Sequence, residues 1–193
     1  MIKKFILVCF MINACSYISY SDAIPLIKNA VIGVEDIEIN NEFIDQKEFS
    51  FAKFKMGRSG IAILTLAYIN NGIYEWVSAT NEKIYTFNGK IIKTEGLINN
   101  INILNIQDLL ESSSSEKANL NILVNLTNPS AVVEHRLQYT FTDQVILEKV
   151  TVPSLNKNFV NYYYFNEPNG RIVRSSQYIH PRLPRIDIDF YYK

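Results

Sequence analysis

Two histidines, His135 and His180, are the side chains best suited to acid–base or metal chemistry near neutral pH. They stand 45 positions apart and outside any HExxH arrangement, so their spacing does not describe a metal site. His135 falls on the apolar face of an alternating segment, where a hydrogen-bonded core residue is the expected role rather than a base. His180 precedes Pro181 and reads as an exposed loop residue. No Gly-x-Ser-x-Gly elbow supports a serine nucleophile. Asp187 and Asp189 share one strand face with Arg185 and Tyr191, and paired carboxylates can act on glycosidic bonds, with Glu134 as a further candidate. A solvated sheet face is the simpler reading, and the adjacent Arg185 favours the ionised forms, which a general acid cannot use. No catalytic residue, metal or cofactor is therefore expected.

Aromatic residues offer a different chemistry. Trp76, Tyr74, Tyr163 and Tyr178, with His135 beside them, could line a groove on which sugar rings or acyl chains stack. Aromatics at period two are also what a β core requires. Trp76 stands out as the only tryptophan, close to a turn.

The elements that must position these residues read as strands. Ile61 to Leu97 resolves into IAILTLAYI, Asn71-Gly72, IYEWVSA, a polar break, KIYTF, Asn88-Gly89 and KIIKTEGL. Asn-Gly between such runs signals a type I′ hairpin, whose two central residues need positive φ. The first of these strands is apolar on both faces and predicts a central strand covered on both sides. Upstream, Ile37 to Phe43 predicts a brief strand and Phe49 to Met56 a firmer one. The phase of the latter's apolar residues changes between Phe51 and Phe54, the mark of a bulge or an edge.

Downstream, Ile98 to Leu110 fits a strand, a short helix or both, and Ser112 to Ser115 a surface loop. Ala131 to Thr142 alternates cleanly, with Val133, His135, Leu137, Tyr139 and Phe141 on one face. Further strands follow at Val145 to Val152, Phe159 to Phe165, Arg171 to Ile179 and Arg185 to Tyr192. About ten to twelve strands with turn signals every 8–12 residues predict an all-β fold. The expected form is a single antiparallel, meander-rich sheet, a sandwich or a barrel-like sheet, with one short N-terminal helix near Ala23 to Val34.

Composition bounds the function. The 193 residues carry 19 basic and 19 acidic side chains, a balance that argues against nucleic acid as a partner. Lys3 and Lys4 precede the apolar run Phe5 to Ile12, far shorter than the roughly 20 residues a spanning helix needs. Ile12-Asn13-Ala14-Cys15 then matches a bacterial lipobox, in which Cys15 becomes the first mature residue and takes a diacylglycerol. This divides the chain into a signal peptide at 1–14, a tether at 15–24 and one domain at 25–193. Ser21-Asp22-Ala23 supports the alternative of ordinary secretion into the periplasm, with cleavage after Ala23. Apart from Cys15 the only cysteine is Cys9, in the signal segment, so the mature domain has no disulfide.

Trp76-x-Ser78-x-x-Asn81, then Thr86-x-Asn88-Gly89-Lys90-Ile91-Ile92-Lys93-Thr94 and Gly96-Leu97, resemble the core of the YjbF (GfcB) family. Gly170-Arg171-Ile172-Val173, Ser176-Gln177 and Pro184 to Phe190 extend the resemblance, which covers about Leu26 to Phe190. It implies an outer-membrane lipoprotein with a half-barrel-like all-β fold and no enzymatic activity. It also implies acyl chains such as palmitate on Cys15, and a role in capsule or exopolysaccharide production. The implied partners are the outer membrane, polysaccharide export or assembly proteins, and the polysaccharide itself. Two alternatives stay open: a periplasmic-face carrier holding an acyl chain or lipid-linked glycan in a concave sheet, and a polysaccharide hydrolase or lyase.

Overall fold

The computed structural model describes residues 39–112, 119–166 and 170–193. The signal segment, Cys15, the tether and the helix expected near Ala23 to Val34 lie outside these residues, as does most of the serine run. A short helix α1 (Asn41–Asp45) opens the described chain, its first turn capped by the Asn40 side chain, which accepts from the Phe43 N–H at 2.8 Å. The brief strand expected around Phe43 is therefore helical; an Asn at the cap position outweighs the short apolar alternation.

Twelve strands follow: β1 (Phe51–Met56), β2 (Ala62–Asn70), β3 (Ile73–Val77), β4 (Lys83–Phe87), β5 (Lys90–Glu95), β6 (Ile101–Ile103), β7 (Asn119–Leu126), β8 (Ala131–Phe141), β9 (Val145–Val152), β10 (Lys157–Asn166), β11 (Arg171–Gln177) and β12 (Ile186–Tyr191). Helix α2 (Ile106–Ser112) lies between β6 and β7. Each strand pairs antiparallel with its neighbours in sequence, and β1 pairs with β12 from Phe51–Tyr191 to Met56–Ile186. The sheet is thus a closed barrel, neither the sandwich that the alternation pattern allowed beside a barrel-like sheet nor the half-barrel that the family resemblance implied. Periodicity reports which face of a strand is apolar; it carries no record of whether the first and last strands meet.

Both Asn-Gly turns adopt positive φ at both residues, Asn71 at 50° with Gly72 at 78° and Asn88 at 45° with Gly89 at 73°. β1 holds an unbroken register with both neighbours, so its change of phase is neither bulge nor edge. Phe51 points outward and is buried there by an edge-on Phe43 and a stacked Tyr191. β2 departs from expectation at its far end, where Tyr68 and Ile69 are exposed: its pairing with β1 ends at Thr65, and the strand runs on beyond it.

Along most strands the inward residues are apolar, and polar or charged residues predominate among the outward ones. Outward ion pairs join Lys53 to Asp189 at 3.6 Å, Lys83 to Glu75 at 2.9 Å, Lys93 to Glu95 at 2.6 Å and Arg136 to Glu134 at 3.0 Å. This is the reverse of a membrane-spanning barrel, whose outer band is apolar. None of the described helices is long and apolar enough to cross a membrane.

The interior is crossed by a waist. β5 and β11 lie six places apart in the ring, diametrically opposite, yet they touch. Gln177 on β11 donates to the Gly89 carbonyl at 2.7 Å and accepts from the Ile91 N–H at 3.0 Å. A Cβ on Gly89 would stand 2.4 Å from Ile172 Cγ2, so only glycine permits this approach, at a φ that also favours glycine. On one side of the waist an aromatic cluster joins Trp76 to Tyr74, Phe190 and Tyr192, with ring centroids 5.4–6.2 Å apart. On the other lie aliphatic residues of β6 to β9, among them Ile103, Ile122, Leu137 and Val150.

Gly89→Ala should lower stability in chemical denaturation by about 2–4 kcal/mol, through both strain and overlap. Gly170→Ala, at φ 60° with nothing within 4 Å of the new Cβ, should cost only about 1 kcal/mol.

Candidate functional site

Glu148 is an acid on the apolar face of β9, in register with Ile146, Val150 and Val152, and it is fully buried. Lys90, the first residue of β5, reaches across to its Oε1 at 2.5 Å. Tyr139 donates to the same oxygen at 2.8 Å. Asn161 and Tyr163 donate to Oε2 at 2.8 and 2.9 Å. Four donors saturate the carboxylate. Burial alone would raise the Glu148 pKa, but the Lys90 charge and the donors outweigh it and hold the carboxyl below its usual value. Burial, and then the Glu148 charge, push Tyr139 and Tyr163 upward, so both remain protonated donors. A carboxylate held this way is a structural anion, without a free lone pair or a titratable proton to offer a substrate.

Next to this cluster the barrel opens at one end. A cavity of about 370 Å³ is walled by Val152, Leu155, Phe159, Ile179 and Leu183, with exposed Lys157 and Asn158 at its edge. A second void of about 20 Å³ lies deeper, bordered by Lys90, Asn161 and Gln177, and His135 lines both spaces. Phe159 meets His135 edge-on at 6.2 Å and Tyr178 at 6.0 Å. Outside, Arg185 packs over Tyr178 at 4.6 Å and Tyr162 at 5.3 Å, while donating to the Val160 carbonyl at 2.8 Å. Tyr178 is thereby held by a cation over its ring and by a T-shaped contact with Phe159.

His135 is 8% exposed. Burial, followed by the Lys90 charge, lowers its pKa to about 4, so its ring is neutral at physiological pH. Among the described residues that ring has no hydrogen-bond partner, where a satisfied core histidine was expected. His180 differs in the opposite sense: it is buried rather than exposed, and tied on both sides. The Arg182 N–H donates to Nδ1 at 3.1 Å, which leaves Nε2 to donate to the Thr127 carbonyl at 2.9 Å. Burial depresses its pKa, in keeping with that neutral tautomer.

The structure gathers His135 and Tyr178 at the cavity and sends the other aromatic candidates elsewhere. Trp76 is 1% exposed, its indole donating to Thr86 at 2.8 Å, and Tyr74 stacks on it. Tyr163 belongs to the Glu148 cluster. The carboxylates of the enzymatic alternative do not meet. Asp187 accepts from Ser176, Asp189 pairs with Arg174 and Lys53, and Glu134 pairs with Arg136 four strands away, all on the outer face. Sequence reasoning missed Glu148, Lys90, Asn161 and Gln177. An acid in phase with Ile146 and Val150 was a usable signal for Glu148; Lys90 gave none, because lysine after Asn-Gly is ordinary hairpin chemistry.

Fold and site together define an all-β barrel that faces water, with a closed waist and a cavity at one mouth. The family model described as group 4 capsule polysaccharide lipoprotein gfcB, YjbF matches residues 26–139 and 133–190, and the chain belongs to that family. No curated protein sequence matches it. Among solved structures it is similar to the hypothetical lipoprotein YmcC from Escherichia coli (K12), at 19% identity and a TM-score of 0.68 over 92% of this chain and 98% of that one. At that identity the likeness speaks for the fold alone.

Glu148→Gln, which leaves Lys90 buried without a counter-charge, should destabilise the barrel by about 3–5 kcal/mol, and adding Lys90→Met should restore part of the loss. A second prediction concerns acid. His135 is neutral when folded down to about pH 4 but protonates near 6.5 when unfolded. Its contribution to stability is therefore complete above pH 6.5 and declines as pH falls toward 4, by about 3 kcal/mol in total. Denaturation midpoints measured across that window should fall in the parent protein and fall less in His135→Leu.

Proposed function

We propose that the chain is a non-enzymatic accessory lipoprotein of capsule or exopolysaccharide production. In this reading Cys15 anchors it to the periplasmic face of the outer membrane, where it binds or helps assemble components of polysaccharide export. The observation that carries the proposal is membership of the capsule lipoprotein family over nearly all of the chain downstream of the tether.

The state of the acids supports a role without chemistry. Glu148 is saturated by four donors, and Asp187, Asp189 and Glu134 are engaged on the outer face with neighbouring side chains. The acyl-carrier alternative asks for a continuous apolar cavity of roughly several hundred Å³. The contact of β5 with β11 divides the interior, and the cavity of about 370 Å³ left at one mouth has polar His135 and His180 in its lining.

Two measurements test the proposal. Clickable palmitate should label the full-length protein expressed in a bacterial host, and Cys15→Ala should abolish both the label and recovery in the outer-membrane fraction. Unlabelled parent protein beginning at Ile24 would favour secretion without an anchor. An Asp187→Asn, Glu134→Gln double variant should support polymer production as well as the parent does, and loss of production with that variant would reopen the enzymatic reading.

A further inference from the structure

We propose that the mouth cavity between β8, β10 and the loop after β11 is a saccharide site that takes one neutral pyranose residue, its buried edge hydrogen-bonded to His135. The proposal rests on the polysaccharide reading above for its biological sense, but the site is argued from its own chemistry.

His135 carries the argument. It is more than nine-tenths buried, it lines the inner part of the cavity, and its ring nitrogens have no partner among the described residues. Its nitrogens are not sealed off within the protein but reach the cavity, so a ligand hydroxyl there can take the place of solvent on them. A neutral imidazole presents one donor and one acceptor, which suits a hydroxyl or an acetamido group. It brings no positive charge of its own to the inner part of the cavity. The cavity lining holds no carboxylate to repel or to hydrolyse a sugar; its second histidine, His180, is already engaged through both ring nitrogens, and the exposed Lys157, Asn158 and Tyr178 are its other polar residues.

The walls decide the rest. Phe159 and Tyr178 offer ring surfaces at a fixed mutual angle, and Arg185 holds Tyr178 from behind, so the aromatic surface is organised before any ligand arrives. The C–H face of a pyranose fits such surfaces, whereas its hydroxyl edges need the polar groups just named. An acyl chain would satisfy the aliphatic walls but leave the imidazole dry and unpaired, a loss of roughly tenfold to a hundredfold in affinity. The cavity's volume of about 370 Å³ falls at the lower end of small-ligand pockets, enough for one sugar residue of a longer chain rather than an oligosaccharide.

The test is NMR titration of the mature protein with N-acetylglucosamine, methyl glucoside and dodecanoate as separate probes, following the His135, Phe159 and Tyr178 side-chain resonances. Saturable shifts with at least one of the two sugars, confined to this mouth, are expected. His135→Leu should weaken them about tenfold or more, His135→Gln should retain most of the affinity, and Leu155→Trp should block the opening without touching His135. Response to dodecanoate alone, to neither sugar, or sugar shifts indifferent to His135→Leu and Leu155→Trp in folded variants would overturn the assignment. Because the readout is binding, its failure leaves a capsule-production phenotype intact, and loss of that phenotype leaves the binding result standing.

Discussion

A barrel's diameter grows with its strand number, and about eight strands already enclose as much space as side chains comfortably fill. Twelve strands would surround a void unless opposite walls approached each other. The contact between β5 and β11 supplies that approach. Gln177 binds two backbone groups of the facing strand, and Gly89 removes the side chain that would hold the walls apart. The polar atoms brought inside by this contact have partners, which is what makes the crossing tolerable in an apolar interior.

The waist also explains why the two halves of the interior are so unlike. The half bounded by β12, β1 and β2 to β4 is packed with aromatic rings around Trp76 and holds the lone tryptophan away from solvent. The half bounded by β6 to β10 is mainly aliphatic, with Tyr139, Tyr163 and Phe159 around its polar groups, and contains a buried charge pair. Lys90 enters it because it follows directly on the waist glycine, and Glu148 meets it there with four donors in attendance. The cavity with its unpaired His135 sits beside that saturated cluster, so one polar group is left open to a ligand while its neighbours are closed to one.

Much of the fold was readable because strand periodicity and Asn-Gly turns are local signals. Both hairpins fell where Asn71-Gly72 and Asn88-Gly89 put them, and the alternating face of residues 133–141 points inward, with only Phe141 emerging into solvent. Closure was not readable, because Phe51 opposite Tyr191 is a pairing between segments at the two ends of the described domain, and no periodicity encodes it. Candidate-site residues were partly legible. His135 and Tyr178 are recognisable as unusual residues on inward or loop positions, but that they share a cavity depends on barrel geometry. The aromatics divided because a period-two pattern cannot distinguish one half of a closed interior from the other. Gln177 and Lys90 look like surface residues in one dimension, and only the waist gives them an inside.

The central claim is that β5 and β11 are joined across the barrel by the Gln177 side chain. Hydrogen exchange at the Ile91 amide tests it most directly, since that N–H donates to Gln177 Oε1 rather than to water. The amide should exchange slowly in the parent protein and much faster in Gln177→Ala, with amides of the β7–β8 ladder little changed. Rapid exchange at Ile91 in the parent, or protection that survives Gln177→Ala in the folded state, would contradict a joined waist.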